Sequence, residues 1–105
     1  MNITITQRSA TSVMLPTSAY YENVTDCSFA AIIDGTFITG WMAKNIQYSS
    51  LRSERIKEGD EISELSELAR VLTEPKWQIV TRERFDELFA QCVARLSGKA
   101  EEVQP

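Results

Sequence analysis

Histidine is missing from this chain altogether. Without an imidazole there is no histidine-dependent triad, no histidine general base and no histidine metal ligand. The two cysteines, Cys27 and Cys92, lie far apart and form no CxxC or zinc-type spacing. They read as two free thiols in a reducing, cytoplasmic setting. Cys27 is the stronger nucleophile candidate, but its neighbour Asp26 opposes thiolate formation, so a structural role is expected. The four glycines, at 35, 40, 59 and 98, are too scattered to make a phosphate-cradling loop. No apolar run approaches the roughly 20 residues that cross a bilayer, so no membrane contact is expected. Met1–Ile5 has neither the basic nor the apolar part of a secretory leader. In the absence of secretion, the triplets Asn2-Ile3-Thr4 and Asn23-Val24-Thr25 carry no meaning as glycosylation acceptors. Neither a catalytic residue nor a cofactor or metal site is expected.

What remains is an ordinary globular composition, 43% hydrophobic and 25% charged. Its length of 105 residues suits one domain, placed at 1–98, followed by a polar, disordered tail over 99–105. The formal net charge is −4, and it is unevenly spread. Residues 1–57 hold five basic and four acidic side chains, whereas residues 58–105 hold six and eleven. An acidic chain is repelled by phosphate backbones, so nucleic acid is disfavoured as a general partner.

Ala30–Trp41 reads AAIIDGTFITGW, two apolar runs around a turn. Asp34-Gly35 suits a type I′ turn, since both residues tolerate positive φ. Counting outward from a two-residue loop sets Ile33 against Thr36, Ile32 against Phe37, Ala31 against Ile38 and Phe29 against Gly40. One face then carries Phe29, Ala31, Ile33 and Ile38, and the other Ala30, Ile32, Phe37 and Trp41. A solvated sheet face would alternate with polar residues, and neither face does. Phe29 opposite Gly40 is the arrangement in which an aromatic ring covers a bare glycine. Asn2–Thr6 alternates as a short strand, Thr17–Asp26 reads as loop or irregular strand, and Ile46 and Tyr48 suggest a further strand. Ser49–Lys57 reads as a polar, mildly basic connector.

Two helices follow. Asp60 is an N-cap candidate, and Ile62, Leu65, Leu68, Ala69 and Leu72 share one stripe, which predicts a helix over 61–73. Pro75 ends it. Thr81 caps a second helix over 82–97, with Phe85, Leu88, Phe89, Cys92, Val93 and Leu96 as its apolar face and Gly98 as its stop. Strands first and helices later predict an α+β fold: a small antiparallel sheet centred on the hairpin at about 28–42, with both helices packed on one face.

Two short helices shelter one face of the sheet and leave the other. Phe37, Trp41, Ile32 and Tyr48 are therefore the expected protein interface, and a symmetric homodimer is the expected form of association. The alternative is that Val13–Tyr21 folds over that face as a lid. Lys44, Arg52, Arg55 and Lys57 form a polar rim or, on a second reading, a nucleic-acid contact with Tyr48 or Trp41 stacking on a base. Glu54 and Glu58 dilute that charge. The helix pair makes a poor helix-turn-helix, because Glu83, Asp86 and Glu87 sit among the basic residues of the second helix. The negative charge is too sparse for a mimic of nucleic acid. Asp60, Glu64 and Glu67 read as a solvated helix face. A small-ligand domain or enzyme would need a pocket holding Cys27 or a buried carboxylate. The leading expectation is a small acidic regulatory protein, of the size and charge of mobile-element accessory modulators, anti-defence inhibitors and antirepressors, acting by contact with another protein.

Overall fold

A computed structural model of the protein describes residues 1–6, 10–45 and 48–98. The expected tail over 99–105 and the strand position given to Ile46 lie outside the described residues. The chain runs through β1 (Asn2–Thr6), β2 (Thr11–Met14), β3 (Ser18–Asn23), β4 (Ser28–Ile33), β5 (Thr36–Met42), β6 (Ser49–Arg55), β7 (Glu61–Ser63), α1 (Glu67–Thr73), β8 (Gln78–Ile79) and α2 (Arg82–Leu96). The class is α+β, mostly antiparallel, with both helices near the C-terminal end. Five strands form one sheet in the order β6-β5-β4-β3-β8, and three form a smaller one in the order β2-β1-β7. β1 and β7 pair in parallel, against the antiparallel rule of the rest.

β4 and β5 are the centre. Asp34 at φ 47° and Gly35 at φ 78° turn the chain with both residues left-handed, as a type I′ turn demands. The register is the one counted from the turn, from Ile33 with Thr36 through Phe29 with Gly40. At Gly40 a Cβ would sit 2.1 Å from Cζ of the Phe29 ring. The ring occupies the place of the missing side chain.

The two faces are sheltered by different parts of the chain. Phe29 and Ala31 pack with Phe85, Leu88 and Cys92 of α2, and Ile38, Met42, Leu51 and Tyr20 border them. Phe85 is the hub, with ring centroids 5.4 Å from Tyr20, 5.6 Å from Phe29 and 5.7 Å from Phe89. On the opposite face Ala30, Ile32 and Phe37 pack with Ile3 of β1, Leu15, Ile56, and Leu68 and Val71 of α1. The helices therefore lie on opposite faces and not on one. The small sheet supplies the extra cover that two helices lacked.

The first helix is shorter than its apolar spacing suggested. Asp60 caps no helix: its carboxylate accepts from the Lys57 N–H at 2.8 Å and closes a turn, while its carbonyl accepts from the Thr4 N–H, also at 2.8 Å. That turn delivers Glu61–Ser63 beside β1, where Ile62 enters the core as a strand residue. Leu65 is left exposed in the following turn. Ser66 is the cap, its hydroxyl accepting from the Ala69 N–H. α2 begins at Thr81, whose hydroxyl accepts from the Arg84 N–H. Gly98, at φ 78°, follows its last turn.

Two substitutions check this packing. Gly40→Ala is expected to cost about 1–3 kcal/mol in urea unfolding or more, because the added methyl collides with a core ring that has no free volume to enter. Phe85→Ala is expected to cost about 3–5 kcal/mol, and Phe89→Ala distinctly less, since Phe85 is buried and Phe89 only half-buried.

Candidate functional site

The hairpin face that carries Phe37 is covered at one end and open at the other. Ile32 and Phe37, at 0% and 2% exposure, lie under the small sheet and α1. They are core residues and not interface residues. The physical reason is the cover described above, which the expected α-only shielding lacked. The lid reading is met in part: Val13 and Leu15 join the cover beside β1, whereas Ala19 and Tyr21 belong to β3 of the covered sheet itself.

Trp41 and Tyr48 are different. Along β5 the side chains of Phe37, Thr39 and Trp41 share a face, and Trp41 lies past the reach of the small sheet. Trp41 is 37% exposed and Tyr48 56%. Their rings meet edge to face at a centroid distance of 5.5 Å, a stable aromatic geometry. The backbone beside each ring is held from the α2 side. Arg95 of α2 donates from Nη1 to the Ala43 carbonyl at 2.8 Å and to the Tyr48 carbonyl at 3.4 Å. The Ala43 N–H donates to the Tyr48 carbonyl at 2.9 Å. Arg95 is thus a positioning residue for the aromatic pair. The sequence offered little sign of it beyond a basic residue in the last turn of a helix.

The four basic candidates do not gather. Arg52 lies opposite Thr39 on the same face as Trp41, one diagonal step away. Arg55 lies opposite Thr36 on the other face of the sheet. Lys44 lines a groove with Cys27, Met42 and Arg95 on the α2 side. Lys57 is past the end of β6, with its backbone N–H held by Asp60. Of the polar rim, Arg52 alone accompanies the aromatic pair. An open depression of about 290 Å³ adjoins it, lined by Phe37, Thr39, Arg52, Glu54, Ser66 and Glu67 among others.

Ser49–Arg55 is a seven-residue strand rather than a connector. Its polar alternation hid it, because an edge strand needs no apolar face of its own. At the other end of the helix, Arg84 grips Glu22 of β3 through two bonds, Nε to Oε1 at 2.9 Å and Nη2 to Oε2 at 3.0 Å, and also pairs with Glu87. Its pKa is raised, first by the bond to Glu22. This clamp and Arg95 fix α2 at both ends.

The thiols stay apart and free. Cys27 is half-buried at the end of the β3–β4 turn, with φ 57°. That turn is closed by Asn23, whose Oδ1 accepts from the Asp26 N–H and whose amide donates to the Asp26 carboxylate, both at 3.1 Å. Asn23 is itself 1% exposed, so the second glycosylation-type triplet has its acceptor locked inside. The Cys92 thiol contacts the Ser50 carbonyl at 3.4 Å. Burial pushes its pKa up, and the Ser49 hydroxyl, the Trp41 backbone and Arg95 only partly oppose this. The buried Ser49 hydroxyl lies there without a hydrogen bond of good geometry. Burial likewise pushes the Tyr21 phenol up. Both groups hold their protons at neutral pH. Among the described residues no group of three His, Cys, Asp or Glu side chains is placed to hold a metal ion, and no helix is long and apolar enough to cross a membrane.

Two measurements follow. Under native conditions a thiol reagent is expected to modify Cys27 and spare Cys92 until the chain is unfolded. Folding stability is expected to hold up to about pH 9 and then fall. The unfolded thiol and phenol release protons near 9.0 and 10.0, before the folded ones do, so rising pH draws the equilibrium toward the unfolded chain.

The chain matches no family model, no curated protein and no solved structure at a significant level, so its function rests on its own geometry.

Proposed function

We propose that the protein is a non-enzymatic, regulatory contact module that binds another protein through the Trp41–Tyr48 surface. The observation that carries this reading is the exposed aromatic pair at the open end of a largely covered sheet face, with Arg95 bonded to the backbone beside it. Large aromatic side chains that lose little entropy on binding are the usual anchors of protein interfaces. Arg52, one step away and exposed, suits a partner that presents an apolar side chain next to a carboxylate. The basic residues are divided between two faces, which speaks against a continuous phosphate-tracking groove. The acidic net charge speaks the same way. An accessory modulator or inhibitor of the kind found on mobile elements fits this profile.

The test compares the wild-type protein with a Trp41→Ala/Tyr48→Ala variant in affinity capture from the native host. Both rings are partly exposed, so the variant is expected to keep its melting temperature within a few degrees while losing at least one protein retained by the wild type. Capture of the same proteins by both forms contradicts the reading. Salt-sensitive binding of a single-stranded oligonucleotide that disappears in the variant also contradicts it, and favours a nucleic-acid role instead.

A further inference from the structure

We infer that the protein pairs with a second copy of itself through the outer edge of β6, extending the five-stranded sheet to ten. This goes beyond the proposed contact function and stands without it, because it uses the outer edge of β6 rather than the aromatic pair, with Arg52 as the residue common to both.

Among the described residues β6 is an edge strand, with β5 as its one strand neighbour. The direction of its backbone groups follows from its two ends. The Ala43 N–H donates to the Tyr48 carbonyl, and the Ile56 N–H donates to the Gly35 carbonyl. Partners alternate along an antiparallel pair, so even-numbered residues of β6 turn their backbone groups to β5. Ser49, Leu51, Ser53 and Arg55 turn theirs outward. The strand is buried at Ser49, half-buried at Ser50 and Leu51 and exposed from Arg52 to Arg55, and that exposed stretch is an open template for another strand. The other edge strands are shorter: four residues in β2, three in β7 and two in β8.

The side chains select the occupant and its register. The side chains of Arg52, Glu54 and Arg55 make no hydrogen bond or ion pair among the described residues. Arg52 and Glu54 point to one face, two residues apart. A two-fold axis through Ser53 sets Arg52 opposite Glu54 of the second copy, and Glu54 opposite its Arg52. Ser53 then meets Ser53 in a hydrogen-bonded pair, made by the groups that point outward. Arg52 and Glu54 meet in a non-hydrogen-bonded pair, where side chains come closest. Axes through Arg52, Glu54 or Arg55 place like charges directly opposite, and an axis through Leu51 leaves both charges opposite uncharged residues. Of the axes centred from Leu51 to Arg55, the one at Ser53 satisfies both charges.

A second feature lies on the same side. Phe89 of α2 borders Ile38, Leu51 and Ser53. Val93 and Leu96 continue its stripe at the four-and-three spacing and are 40% and 50% exposed. An axis normal to the sheet keeps both copies of α2 on one face, so these stripes flank the joined edge from both sides. The two Trp41–Tyr48 surfaces then lie together on the opposite face, roughly 25 Å apart, from six strand residues at about 3.3 Å each along the strands and three strand spacings of about 4.8 Å across them.

Analytical ultracentrifugation of the wild-type chain, Arg52→Glu, Glu54→Arg, the combined charge swap and Ser53→Pro tests this. The wild type is expected to sediment as a dimer. Each single charge change puts like charges opposite each other twice per dimer and is expected to raise the dissociation constant about tenfold or more. The combined swap is expected to restore it. Ser53→Pro removes an N–H that β5 does not use, so the monomer is expected to stay folded by circular dichroism while the dimer is lost. If that variant does not fold, the charge set decides alone. A wild type that stays monomeric at about 100 µM overturns the inference. A dimer whose dissociation constant ignores the charge changes overturns it as well. Loss of Trp41 and Tyr48 leaves this result unchanged, so the two proposals fail separately.

Discussion

A hairpin with no wet face is the constraint on which this molecule is built. Every residue from Phe29 to Ile32 is buried, and water has to be kept from both sides at once. Exposing either face would leave several large aliphatic and aromatic side chains in solvent, at about 1.5–3 kcal/mol each. The chain solves this by dividing its remaining elements. α2 lies over Phe29 and Ala31, while β1, β7 and α1 close over Ile32 and Phe37. The close fit of the Phe29 ring over Gly40 then sets how near α2 can approach.

Much of this was legible in the sequence because the signals were local. The Asp34-Gly35 turn fixes the register by counting, and the register fixes the faces. The 3, 1, 3, 1, 3 apolar spacing of Phe85–Leu96 needs no context, nor does its Thr81 cap. What was not legible depended on partners distant in the chain. Ile62 satisfies both a helical and a strand pattern, and only the nearness of β1 decides between them. β6 has no apolar period because its place at the edge does not require one. The pairing of β1 with β7 joins residues more than fifty positions apart, which no window of sequence displays. The two that concern β1 and β7 led to one error, the conclusion that Ile32 and Phe37 lacked cover.

The candidate site was half legible for the same reason. Trp41 and Tyr48 could be picked out as large aromatics near the end of a hairpin, and they remain exposed and touching. Their support by Arg95 could not be foreseen, since it depends on where α2 ends over the sheet. The basic segment 44–57 looked continuous as a string of letters. A strand alternates its side chains, however, and sends Arg52 and Arg55 to opposite faces. Charges close in sequence are therefore divided in space, and a protein-contact reading gains what the nucleic-acid reading loses.

Residue-resolved hydrogen exchange measures the central claim most directly, that the chain shelters both faces of its hairpin by itself. In a solution dilute enough to hold single chains, the amides of Ala30, Ala31 and Ile32 are predicted to exchange only through global unfolding, while those of Leu51 and Ser53 exchange quickly. Amides of β4 that exchange fast in the single chain, and become protected only as concentration rises, would show that a second polypeptide completes the core and would contradict the account.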